Sequence, residues 1–148
     1  AIARGCPGAD EICTTAAAAG RLAIMQWARA QVPPCRWDER TCVAAVRNGH
    51  LDILQWADAH LCPRSGYSCT HAARNGHLAV LQWVRGEGCP WDAYTCSDAA
   101  AGGHLEILQW LRAQDPPCPW DSDAIANAAQ AGHLAVLQWL RDNGCPES

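Results

Sequence analysis

Cysteine is one of two residue types in this 148-residue chain that could carry chemistry, and it recurs regularly. Eight of the ten cysteines form four C-x6-C pairs: Cys6/Cys13, Cys35/Cys42, Cys62/Cys69 and Cys89/Cys96. Paired thiols can bind zinc or join as disulfides. However, this is not a usual zinc spacing, and Ile125 stands where a fifth pair would have its second cysteine. We therefore expect free, buried thiols and a reducing compartment.

Histidine is the second such residue type. His50, His77, His104 and His133 each follow a glycine at regular intervals, and Arg21 takes the same place near the start of the chain. Packed helices lie about 8–10 Å apart, whereas one metal ion needs its nitrogen ligands at about 2 Å. Neighbouring histidines therefore cannot share a metal. We expect each to bond to a nearby backbone group, and we predict no metal site and no cofactor.

A repeated string must position these residues. GHLDILQW (49–56), GHLAVLQW (76–83), GHLEILQW (103–110) and GHLAVLQW (132–139) are near copies, and GRLAIMQW (20–27) is a degenerate one. Their tryptophans are spaced by 29, 27, 27 and 29 residues, a period typical of stacked arrays. The sequence predicts one array over residues 1–148, with segments at about 6–34, 35–61, 62–88, 89–117 and 118–144. Residues 1–5 and 145–148 would be parts of flanking segments, in a longer array or a chain whose flanks are missing.

Each segment contains the signals for two helices. Asp92 is a good N-cap for a first helix, and Gly103 can take the left-handed conformation that ends it. A second helix then starts near His104, and Arg112 lies in its last turn, where a cation is favourable. The same signals recur at Asp38, Ser65 and Asp121 and at Gly20, Gly49, Gly76 and Gly132. Such a hairpin buries its apolar face only against copies of itself.

Tryptophan occurs in two settings. Trp27, Trp56, Trp83, Trp110 and Trp139 end the repeated string, and we expect core or inter-segment packing for them rather than stacking on nucleic-acid bases. Trp37, Trp91 and Trp120 lie in the segments that connect one helical hairpin to the next. Two of these connections are longer because they contain Pro33-Pro34 and Pro116-Pro117. The place of these tryptophans is taken by Gly8 and Arg64 elsewhere. Because this sequence position can hold a polar residue, the hypothesis that it forms part of a partner surface stays open.

The string AARNGHLAVL (72–81) resembles the core of the ankyrin repeat, and the resemblance covers nearly the whole chain. It implies an all-α solenoid of five stacked helix-turn-helix repeats. The family repeat is about 33 residues long, so the segments here are short, and shortened or absent β-hairpin fingers are expected. The Cys-Pro-Trp-Asp segments resemble repeats of large DNA viruses of amoebae and of some protists. The expected reducing compartment indicates a cytoplasmic location, and for a viral protein the likeness implies the host cytoplasm or nucleus.

Composition and pattern exclude several function classes. The formal net charge is −4 with both signs dispersed, so we expect no nucleic-acid partner, which would need a basic patch. The sequence contains no run of eighteen apolar residues, which is the length that would predict a membrane-spanning helix. Nearly every reactive side chain is a copy of a structural position, whereas catalysis needs a unique constellation. We therefore predict that the chain is not an enzyme.

Positions that differ between the segments are the candidates for function, because the shared residues are needed for stacking. The ankyrin resemblance implies that these positions face a concave surface and contact a protein. The nominated residues are Arg40, Arg47, Asn48, Tyr67, Arg74, Asn75, Tyr94, Asp123 and Gln130. The predicted function is a non-catalytic protein-interaction module. The alternatives are the substrate-recruiting array of a ubiquitin-ligase adaptor whose F-box is not in this chain, a structural or virion scaffold component, and a zinc protein.

Overall fold

The computed structural model describes residues 11–147, and these residues form ten α-helices and no β-strand. The prediction of an all-α fold is confirmed at this level. The chain divides into two compact units, one ending at Ser65 and one beginning at Gly66. No helix among the described residues has the length and apolarity to cross a membrane.

Helices come in pairs along the chain. The first unit contains α1 (Ile12–Ala19), α2 (Leu22–Arg29), α3 (Glu39–Arg47) and α4 (Leu51–Ala59). The second unit contains α5 (Ser68–Arg74), α6 (Leu78–Gly86), α7 (Ala93–Ala101), α8 (Leu105–Ala113), α9 (Ser122–Ala131) and α10 (Leu134–Asp142). Each odd-numbered helix and the even-numbered helix after it form one helix pair. The two Pro-Pro sequences lie outside the helices, as predicted.

Within each unit the odd-numbered helices pack against one another. In the first unit α1 contacts α2 and α3, and α3 contacts α4. In the second, α7 lies between α5 and α9, and each of these three packs on its own even-numbered partner. Alanines make this approach possible: Ala72, Ala73, Ala99 and Ala100 are completely buried. The even-numbered helices supply larger core residues such as Ile107, Leu108 and Leu111.

Three of the four predicted N-caps are confirmed. The carboxylates of Asp38, Asp92 and Asp121 accept hydrogen bonds from backbone amides at the start of α3, α7 and α9, at 2.9, 3.0 and 3.0 Å. The predicted N-cap position at Ser65 was wrong, because Tyr67 occupies the N-cap position of α5. Helix α5 begins later, at Ser68, and its N-cap Tyr67 makes no side-chain cap bond. This helix is therefore only seven residues long.

A glycine and a histidine join successive helix pairs. Gly103 follows α7 with φ +75°, the left-handed conformation predicted for it. The ring of His133 lies over Gly103, and its Nε2 donates to the carbonyl of Ala101 at 3.2 Å. His104 and His50 donate in the same way to the carbonyls of Arg74 and Ala18, at 3.0 and 3.1 Å. The prediction of a backbone partner is thus confirmed for three histidines.

We predict that Gly103→Ala lowers the free energy of unfolding more than Gly132→Ala does. Both glycines have positive φ, so both variants carry the cost of a left-handed alanine, about 1–2 kcal/mol. At Gly103 the new Cβ would also lie 2.7 Å from Nδ1 of His133, whereas at Gly132 it would meet no described atom within 4 Å. Displacing the His133 ring should cost about 1 kcal/mol more. Urea unfolding measures both variants, and equal losses would contradict the inter-pair role of His133.

Candidate functional site

All nine residues nominated from the sequence lie on the surface. Six belong to the second unit and three to the first. In the second unit, Tyr67 is the N-cap of α5, and Tyr94 and Asp123 are the second residues of α7 and α9. Because α5, α7 and α9 pack in succession, these three side chains form a row, here called the tyrosine row. Tyr67 is 70% exposed and Tyr94 is 67% exposed.

The opposite ends of the same helices carry the other three nominated residues of this unit. Arg74 Nη1 lies 3.4 Å from Oδ1 of Asp98 on the neighbouring helix. Burial raises the pKa of Asp98, and the positive charge of Arg74 opposes that rise. Asn75 donates to the carbonyl of His71 at 2.8 Å, so its amide satisfies the last turn of α5. Gln130, at the end of α9, is exposed.

In the first unit the nominated residues lie at the two ends of α3. Arg40 pairs with the cap of its own helix, with Nη2 3.1 Å from Oδ2 of Asp38. The hydrogen bond from Arg40 lowers the pKa of that carboxyl. Asn48 donates to the carbonyl of Ala44 at 2.8 Å, and Arg47 is exposed. Arg40, Asn48, Arg74 and Asn75 thus all have intramolecular roles, which sequence variation alone did not indicate.

The connecting tryptophans bind arginines from the preceding helix pair. The guanidinium carbons of Arg29, Arg85 and Arg112 lie 4.1, 3.9 and 3.9 Å from the ring centroids of Trp37, Trp91 and Trp120. Cation–π contacts of this kind contribute about 0.5–2 kcal/mol. Arg85 and Arg112 also donate to the carbonyls of Cys89 and Cys118, at 2.8 and 2.6 Å. These arginines therefore fasten the connecting segment to the helix before it.

The tryptophans of the repeated string lie at the margin of the core. Trp37 meets Trp56 edge-on with ring centroids 5.7 Å apart, and the pairs Trp91–Trp110 and Trp120–Trp139 are 6.0 Å apart. Trp27 is 59% exposed and is therefore not a core residue, and the other four are half-buried. In α8 the buried positions are taken by Ile107, Leu108 and Leu111, so the neighbouring Trp110 falls beside that face.

One helix pair replaces the arginine–tryptophan contact by an ion pair. Asp58 of α4 stands where other segments have the arginine, and Arg64 stands where they have the tryptophan. Arg64 Nη2 lies 2.8 Å from Oδ2 of Asp58. The sequence showed both departures, and their joint occurrence was the signal for this contact.

Cysteine contacts join successive helix pairs rather than the C-x6-C neighbours. Hydrogen-bonded thiols are found for Cys13 with Cys35, Cys42 with Cys62, Cys69 with Cys89, and Cys96 with Cys118. The nine described cysteines are free, as predicted, and seven are buried, whereas Cys35 and Cys89 are half-buried. Cys6 lies outside the described residues. Between 11 and 147, no group of three or more His, Cys, Asp or Glu residues is arranged to hold a metal ion.

An open groove lies between α8 and α10 in the second unit. Its volume is about 310 Å³. It is lined by Gln109, Arg112, Ala113, Trp120, Trp139 and Asn143. The stacked Arg112 and Trp120 form part of its wall, so the groove follows from the contact that fastens the connecting segment. The use of the connecting tryptophans as a partner surface stays a prediction.

Comparisons with known proteins give no family. A scan against protein-family models finds no match, and a search of curated protein sequences finds no significant similarity.

We predict a large coupling between Asp58 and Arg64. Asp58→Arg alone should destabilise the protein, because it places two guanidinium groups together. Arg64→Trp in the same background should restore stability, because it recreates the arginine–tryptophan contact found three times elsewhere. The expected coupling energy is about 1–3 kcal/mol, measured by denaturant unfolding of both single variants and the double variant. Additive effects would show that the two positions are independent.

Proposed function

We propose that the chain is an array of five ankyrin-like repeats that binds a protein partner through the exposed starts of its odd-numbered helices. One observation carries the proposal: two tyrosines, 70% and 67% exposed, occupy successive positions in the tyrosine row. Tyrosine is enriched among residues that dominate protein–protein binding energy. On this proposal the chain binds and does not catalyse, and it uses no metal or cofactor.

The local backbone supports a binding role for the tyrosine row. The amide of Tyr94 donates to the capping carboxylate of Asp92 at 3.0 Å, and α7 packs between α5 and α9. Such fixed anchors offer a large contact area at a small cost in conformational entropy. Asp123, Arg74 and Gln130 would add a polar rim, as found around the apolar centre of interfaces.

The first unit would contribute more weakly. Arg40 must leave or share its ion pair with Asp38 to contact a partner, and Asn48 already donates to Ala44. Arg47 is exposed as well and lies at the other end of α3 from Arg40. The ankyrin resemblance assigns all three positions to the partner-facing surface.

We predict that Tyr67→Ala combined with Tyr94→Ala lowers affinity for the partner at least about tenfold, which corresponds to about 1.4 kcal/mol. The matched control is Gln82→Ala with Gln109→Ala, which removes two exposed side chains from the even-numbered helices α6 and α8. Immobilised proteins capture partners from lysate of the source or host cell for mass spectrometry. A photo-reactive residue at position 94 should cross-link the captured protein, and one at position 109 should not.

Each outcome separates the candidate functions. Equal capture by both double variants would show that the tyrosine row is not the binding surface. Ubiquitin-ligase components among the cross-linked proteins would favour the adaptor. Capture of further copies of this chain alone would favour a scaffold role.

A further inference from the structure

Two of the four thiol pairs differ from the others in how the later cysteine is oriented. In the buried pairs, the thiols of Cys62 and Cys118 donate to the backbone carbonyls of Asp38 and Asp92, both at 3.5 Å. Cys145 follows the helix pair in which Ile125 replaces the earlier cysteine, and its thiol likewise donates to the backbone carbonyl of Asp121 at 3.4 Å. The thiol therefore points toward the preceding helix start wherever that helix has a capping aspartate.

The thiol of Cys89 does not donate to a capping aspartate of the preceding helix. Helices α1 and α5 begin after Glu11 and Tyr67, neither of which makes a side-chain cap bond. The thiols of Cys35 and Cys89 donate instead to the next carbonyl in their own segment, at 3.7 and 3.6 Å. These two cysteines are half-buried, whereas their partners Cys13 and Cys69 are completely buried.

The surroundings of Cys89 favour its thiolate. The thiol of Cys69 donates a hydrogen bond to the sulfur of Cys89. This bond is the main reason that the pKa of Cys89 is lowered to about 6, although burial of the thiol opposes the decrease. The guanidinium of Arg85 lies close by, bonded to the Cys89 carbonyl at 2.8 Å. Thiolates are the nucleophiles in thiol–disulfide exchange. The half-buried thiolate of Cys89 thus lies next to the buried thiol of Cys69.

We propose that Cys69 and Cys89 form a reversible disulfide on reaction with a small-molecule disulfide such as oxidised glutathione. The Cys89 thiolate attacks one glutathione sulfur, forming a mixed disulfide and releasing one glutathione thiolate. The Cys69 thiol then gives its proton to that thiolate and attacks the Cys89 sulfur, releasing the second glutathione. The two protein thiols are oxidised and the glutathione disulfide is reduced.

The disulfide is a better assignment than a metal site. Each pair supplies two sulfurs, and among the described residues no third ligand completes a set. The positive charge of Arg85 beside Cys89 opposes a bound cation and favours the thiolate. Zinc binding is therefore an outcome of the test rather than part of the proposal.

The native full chain is treated with oxidised glutathione, and remaining thiols are alkylated in denaturant before tryptic mapping without reduction. The expected product joins the peptides 65–74 and 86–112. Since the second peptide also contains Cys96, fragmentation must locate the bond at Cys89. Cys62 and Cys118 should be recovered alkylated. Cys89→Ser should leave Cys69 alkylated, and Cys35→Ser, the matched control, should leave the Cys69–Cys89 bond unchanged.

Three results would overturn the proposal. They are a stable glutathione adduct on Cys89 with Cys69 alkylated, a bond from Cys89 to another cysteine, and zinc that protects both thiols of the reduced protein. Circular dichroism of Cys89→Ser shows whether its helices are retained, and the wild-type map is decisive if they are not.

A labelling experiment on the reduced wild-type protein provides a second measure. Cys89 should be the fastest-alkylated cysteine of the second unit. Its rate should change little above neutral pH and fall as the pH decreases through about 6, because protonation removes the nucleophile. A rate that rises steadily to pH 9, as for an ordinary thiol, would show that Cys89 is not the attacking thiolate.

Discussion

Close packing between the alanine-rich odd-numbered helices is the constraint on which the rest of each unit depends. Completely buried residues such as Ala72 and Ala99 allow neighbouring backbones to approach, and short polar side chains can then span the gap. Thr70 and Thr95 hydrogen-bond across it at 3.2 Å, and a histidine ring reaches the last turn of the helix before it. Larger residues at the alanine positions would separate all of these partners at once.

Local signals in the sequence predicted local structure well. Asp92 caps α7 and Gly103 ends it because these roles depend on a few neighbouring residues. The cysteine and arginine contacts escaped prediction because their partners lie in the next helix pair. Cys96 is seven residues from Cys89 but hydrogen-bonds to Cys118. The contact of Trp110 with Trp91 was not predicted for a related reason, since Trp91 lies in a connecting segment that has no periodic pattern.

For the candidate surface, the sequence predicted which side chains are exposed but not which of them already bind other residues of the chain. Variation correctly indicated side chains outside the core, such as Tyr94 and Arg74. It did not show that Arg74 pairs with Asp98 or that Asn75 completes the last turn of its helix. A position that varies between segments is one that the shared packing does not require. Its side chain can therefore either bind a partner protein or pair with another residue of the chain.

The start of α5 departs from the pattern of the other odd-numbered helices in the second unit. Helices α7 and α9 each have an aspartate cap, whereas Ser65 occupies that place before α5, and α5 begins at Ser68. The late start makes Tyr67 the N-cap, with its side chain exposed. The thiol of Cys89, in the segment that follows this helix pair, donates to the carbonyl of Pro90 rather than to a helix-start aspartate. An exposed aromatic residue and a half-buried thiol thus accompany this departure from the repeated pattern. In an array whose shared residues are required for packing, such departures are where a specific partner or a specific reaction can be encoded.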